Sequence, residues 1–106
     1  MQIQINSDHN IDATEALAAH VEDVITRALH RFAGRISRIE VHLGDENAGK
    51  HGADDKRCML EARVEGLQPI AVTHDAETVH DAVHGAAEKM KHALEHSLGR
   101  LRDEHR

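Results

Sequence analysis

The chain has 106 residues, 40% of them hydrophobic, which suits one folded domain and is too apolar for a wholly disordered chain. With one Phe and neither Trp nor Tyr, its core must be built from Leu, Ile, Val, Ala and Met, and a base-stacking platform is excluded. Asp and Glu number 19 against 13 Lys and Arg, and the resulting charge of −6 disfavours polyanion binding through bulk charge.

The chain opens as Met1-Gln2-Ile3-Gln4-Ile5, with no basic region, apolar region or cleavage site of a secretory signal. No apolar run approaches the ~20 residues of a membrane span, so a cytoplasmic protein is expected, with no membrane partner. Residues 2–6 alternate with the period of a half-buried strand. A turn follows at Asp8–Asn10. Asp12 with Glu15 reads as a capping box, with Ile11 as a staple. Leu17, Val21, Val24, Ile25, Ala28, Leu29 and Phe32 then keep a helical stripe, predicting a helix over 13–33 that ends at Gly34.

From Ile36 the period returns to two: Ile39, Val41 and Leu43 face one way, Arg38, Glu40 and His42 the other. Residues 44–56 hold three glycines and almost nothing apolar, predicting a mobile hairpin loop. Residues 57–65 alternate again. Cys58 falls on their apolar side as a core residue, and as the sole cysteine it excludes an internal disulfide. Gly66–Pro69 turn the chain into a strand over 70–74, where Pro69 fits an edge. Thr78 with Asp81 makes a second capping box. The stripe Val79, Val83, Ala86, Ala87, Met90, Leu94, Leu98 and Leu101 predicts a helix to about residue 103, with 104–106 as a frayed tail. Gly85 within this helix suggests close approach to a neighbour.

The predicted fold is therefore α+β with the order β-α-β-β-β-α, in a single domain over 1–106. If adjacent, the first two strands are parallel through a right-handed crossover. The last three form an antiparallel meander, giving a four-stranded mixed sheet with both helices on one face.

Charge placement qualifies the total. Residues 1–26 contain five acids and no Lys or Arg, whereas 24–39 carry Arg27, Arg31, Arg35 and Arg38, with His30 among them and no acid. Arg27 and Arg31 share a helix face, and each offers a donor fork suited to phosphate. The same arginines also answer the dipole at a helix C-terminus. Lys89, Lys91 and Arg100 extend the strip onto the second helix. There His80, His84, Glu88, His92 and His96 recur at intervals of four. His92 and His96 with Glu88 have the spacing of a metal site, a weak candidate beside that of exposed polar positions. Protonating all 11 histidines would carry the formal charge from −6 to +5, so the acidic balance depends on pH. No phosphate loop, nucleophile context or carboxylate pair is present. The chain reads as no enzyme and implies no cofactor.

Met1-Gln2-Ile3-Gln4-Ile5 followed by Ile11–Leu17, the Phe32…Arg35-Ile36 junction, and Thr78–His84 with Glu88-Lys89-Met90 together carry a resemblance over nearly the whole chain. It resembles the ribosome hibernation-promoting factor family, also called ribosome-associated inhibitor or sigma-54 modulation proteins, in its short single-domain form. The resemblance implies a fold like that of double-stranded RNA-binding domains. It also implies binding to the small ribosomal subunit and its ribosomal RNA, with translation inhibited in stress or stationary phase. DNA is not an expected partner, and no C-terminal ribosome-dimerisation domain is expected. On this resemblance the RNA-binding residues are Arg27, Arg31, Arg35, Lys89, Lys91, His92, His96 and Arg100. His92 and His96 stand where the family usually has Arg or Lys, and His80 replaces a customary Tyr. Two other readings of the residues remain: an acidic protein-interaction module on the same fold, and a histidine-stripe metal binder.

Overall fold

The period-two segments pair into one sheet in the order β1-β2-β3-β4, formed by Gln2–Ser7, Ile36–Asp45, Lys56–Val64 and Ile70–Ala76. Helix α1 covers Glu15–Leu29 and runs into a 3-10 turn at His30–Phe32; helix α2 covers Val79–Glu104. This computed structural model describes residues 1–46 and 55–104, those from Arg100 onward as helix backbone only. β1 lies parallel to β2, with Ile3 beside Ile39 and Ile5 beside Val41, while β2–β3 and β3–β4 are antiparallel. The order of elements and the strand directions are those predicted.

Alternation decides which face is covered. Ile39, Val41 and Leu43 of β2 and Cys58, Leu60 and Ala62 of β3 are buried beneath Val21, Ile25 and Leu29 of α1 and Val83, Met90 and Leu94 of α2. Burying side chains of this size stabilises by about 1.5–3 kcal/mol each, so both helices are held on one side. Cys58 is fully buried, and burial pushes its thiol up to about 12, which keeps it protonated and inert.

The opposite face is charged but balanced. Register places Arg38 beside Arg63 and Glu40 beside Glu61, like against like. The side chains resolve this diagonally and along the strands: Glu40 lies 3.2 Å from Arg38 and 3.8 Å from Arg63, and Glu61 lies 3.7 Å from Arg63. At the β3–β4 end, Arg57 donates to both oxygens of Asp75 at 2.8 and 3.3 Å, holding that carboxyl below the usual range.

Two local expectations shift. The cap of α1 is Thr14, whose hydroxyl accepts from the Leu17 N–H at 3.0 Å; Asp12 precedes it in a turn, and the helix starts at Glu15. Ile11 is buried, which takes the chain into the core before it can begin to wind. Gly44, Asp45 and Lys56, placed in the loop by composition, extend the hairpin, and Glu46 N–H still donates to the Asp55 carbonyl at 2.9 Å. Residues 47–54 of the expected mobile loop lie outside the described residues, as do 105–106 of the expected frayed tail. Pro69 precedes β4, an edge strand that needs no donor there.

Two glycines are required. Gly66 has φ 82° in the turn closed by Leu67 N–H to the Val64 carbonyl at 3.1 Å, a conformation other residues rarely adopt. Gly85 lets α2 rest against the His74 ring of β4; a Cβ there would lie 2.1 Å from His74 Cδ2.

Candidate nucleic-acid interface

Because the outer sheet face balances its own charge, the cationic candidate is the helical side. There α1 and α2 leave a furrow between them. Its lower section, about 420 Å³, is lined by Thr26, Arg27, Ala28, His30 and Arg31 of the α1 end and by Lys91 of α2. The lining follows from local geometry: Arg27 lies in the last turn of α1, Arg31 four residues on in the 3-10 turn that continues it, and Lys91 on the α2 face turned toward them.

The two arginines have partners they can give up. Arg27 Nε donates to Asp23 at 3.0 Å, with the side chains 80% and 56% exposed. Arg31 Nη1 lies 3.5 Å from Glu95 and its guanidinium sits 5.2 Å from the Phe32 ring centre. Exposed pairs of this kind contribute about 0–1 kcal/mol, less than a charge-assisted bidentate contact to phosphate supplies. A phosphate can therefore enter the furrow by exchanging acidic partners, leaving the guanidinium stems in place.

The remaining candidates are scattered. Lys89 turns to β4, its ammonium donating to the Thr73 carbonyl at 2.8 Å. Two residues along a helix are about 200° apart, so Lys89 and Lys91 serve opposite sides of α2. Arg35 lines a different hollow of about 450 Å³ with Arg63, Leu67 and Pro69, and its Nη2 donates to the Glu65 carbonyl at 3.5 Å. His92 is exposed between Glu88 at 3.8 Å and Glu95 at 3.7 Å, and His96 is exposed as well. Arg100 belongs to the described α2 backbone, and its side chain lies outside the described residues.

The histidine stripe does not stay on one face. Each step of four advances about 40° around the helix, so five members fan across roughly 160°. His80, His84 and Glu88 consequently lie on the α1 side, Glu88 lining the furrow, whereas His92 and His96 turn outward. Among the described residues, no group of three or more His, Cys, Asp or Glu side chains is placed to hold a metal ion. Glu88, His92 and His96 thus do not assemble as ligands, and the metal-binding reading has no structural basis.

What the stripe does build includes a residue absent from the sequence candidates, His20 of α1. His80 Nδ1 and His20 Nε2 share a hydrogen bond at 2.8 Å, with ring centres 4.2 Å apart, and the His84 ring lies 5.7 Å from His20. Burial first, then the charges of His80 and His84, hold His20 below the ordinary histidine value, with Asp23 pulling the other way. His20 and His84 line an upper section of the furrow, about 360 Å³, that shares Arg27 and Ala28 with the lower one. The signal for His20 was its spacing, two turns before Arg27 on the same face of α1; its pairing with His80 across the seam has no local sequence signal.

Comparison with known proteins agrees with the fold. Residues 3–102 match the family described as Sigma 54 modulation protein / S30EA ribosomal protein. The N-terminal domain of Thermus thermophilus Protein Y superposes with a TM-score of 0.72 at 20% identity, over 91% of this chain and 98% of that one. A ribosomal subunit interface protein from Coxiella burnetii superposes with a TM-score of 0.73 at 18% identity, over 93% and 99%. Among curated protein sequences, none matches significantly.

Proposed function

Since this chain belongs to the Sigma 54 modulation protein / S30EA ribosomal protein family, we propose that it is a non-enzymatic factor that binds the small ribosomal subunit and inhibits translation during stress or stationary phase. The observation that carries this reading is the furrow between α1 and α2, where Arg27, His30, Arg31 and Lys91 line one concave surface. Its guanidinium forks grip phosphate without needing base identity, as an RNA backbone requires. The Coxiella burnetii relative, titled a ribosomal subunit interface protein, points to the same partner. Arg35, Lys89, His92, His96 and Arg100 serve as outlying contacts beyond the furrow. The factor acts in the cytoplasm, where ribosomes are.

Cosedimentation tests this directly. At low salt the protein travels with small subunits and leaves them as salt rises, and its addition slows a cell-free translation reaction. An Arg27→Ala, Arg31→Ala, Lys91→Ala variant stays largely in the ribosome-free fraction and does not slow translation. Wild type remaining in the ribosome-free fraction at both about pH 6 and about pH 7.5 would overturn the reading.

A further inference from the structure

The upper section of the furrow has a different electrostatic character from the lower. With its imidazoles neutral, its charged lining is Arg27 against Asp23 and Glu88, a net charge of −1. Both carboxylates have neighbours of their own: Asp23 accepts from Arg27 at 3.0 Å and Glu88 lies 3.8 Å from His92. Protons on His20 and His84 carry this lining from −1 to +1, and a further proton on His80, bonded to His20, adds one more positive charge beside it. The sign of the surface inverts.

We propose that His20, His80 and His84 form a proton-dependent phosphate-binding site continuous with the cationic furrow, extending its contact with RNA as pH falls. The inference rests on the ribosomal RNA reading given above and adds a condition to it. The 2.8 Å bond between His80 Nδ1 and His20 Nε2 requires one ring nitrogen to donate and the other to accept. When both rings are charged, all four nitrogens are donors and the bond parts, freeing N–H groups for a phosphate oxygen. His80 and His84 are exposed, so a backbone lying in the furrow reaches them without rearranging the core. His20 resists charging through burial and through its two neighbours, and a bound phosphate supplies the opposite charge that relieves this. Binding and proton uptake therefore reinforce one another, as linkage demands.

The test measures affinity for a short RNA duplex by fluorescence anisotropy, as the ratio of Kd between about pH 7.5 and about pH 5.5 for each protein. Two added phosphate contacts tighten binding by about tenfold in wild type and steepen its salt slope by about 1.5. The His80→Gln, His84→Gln variant keeps at most about a threefold gain, the residue of His30 and the outer histidines. The single His20→Gln variant also loses part of the gain. His42→Gln, on the far sheet face, keeps all of it, which shows that general protonation is not the cause. A full gain in the His80→Gln, His84→Gln protein would overturn the inference. So would pH-independent binding by wild type, while leaving the RNA reading intact. Failure of wild type to bind RNA or small subunits at either pH overturns both.

Discussion

A methyl group added at Gly85 would lie 2.1 Å from His74 Cδ2 and 2.3 Å from Nε2, so the ring or the helix must move. The replacement gains helix propensity of roughly 1 kcal/mol, while crowding of this kind costs about 1–3 kcal/mol. Overlap this deep sits at the upper end, so crowding wins. Gly85→Ala is expected to lower stability by about 1–2 kcal/mol in denaturant unfolding. In a His74→Ala background the same change is expected to be neutral or stabilising, because the obstacle is gone. Equal costs in both backgrounds would show that the contact is not what the glycine serves. Gly99, by contrast, has nothing within 4 Å of its would-be Cβ, and nothing in its surroundings requires a glycine.

At the scale of elements, the α1–α2 seam is where pH enters stability. His20 is held below the ordinary histidine value in the folded chain, whereas the unfolded chain titrates near about 6.5. As pH falls below that value, the unfolded state takes up the proton more readily, so stability declines until the folded value is passed. Above the unfolded value both states are neutral and the penalty vanishes. Thermal unfolding of wild type should therefore weaken from about pH 7.5 to about pH 5.5 more steeply than that of His20→Gln. Parallel pH profiles would remove His20 from the account. The same seam shows what sequence could carry. Periodicity located every strand and both helices, and Thr78 was legible as the α2 cap, donating partner and all, with Asp81 N–H reaching its hydroxyl at 3.1 Å. Asp12 was the cap expected for α1, and burial of Ile11, a tertiary event, moved the cap to Thr14. Arg27 and Arg31 were legible because they lie four apart in one continuous helical segment, the end of α1 and the 3-10 turn that follows it. The pairing of Arg31 with Glu95 and of His20 with His80 joins residues 60 or more apart in the chain, and no local pattern encodes it.

Across the whole molecule, the −6 total is a poor guide to the surface that RNA would meet. Charges on the outer sheet face cancel through Arg38, Glu40, Glu61 and Arg63, and Arg57 is satisfied by Asp75. The furrow keeps Arg27, Arg31 and Lys91 together on one side of a wall of packed helices. Local arrangement sets short-range phosphate contact, while the net charge slows approach and makes binding sensitive to salt. The most direct test is the salt slope of binding to purified small ribosomal subunits, compared between wild type and the Arg27→Ala, Arg31→Ala, Lys91→Ala variant at about pH 7.5. Each phosphate contact contributes roughly 0.7–0.9 to the slope, so the variant should bind more weakly with a slope shallower by about 2–3. Equal affinity and equal slope in the two proteins would contradict the furrow as the RNA-binding surface.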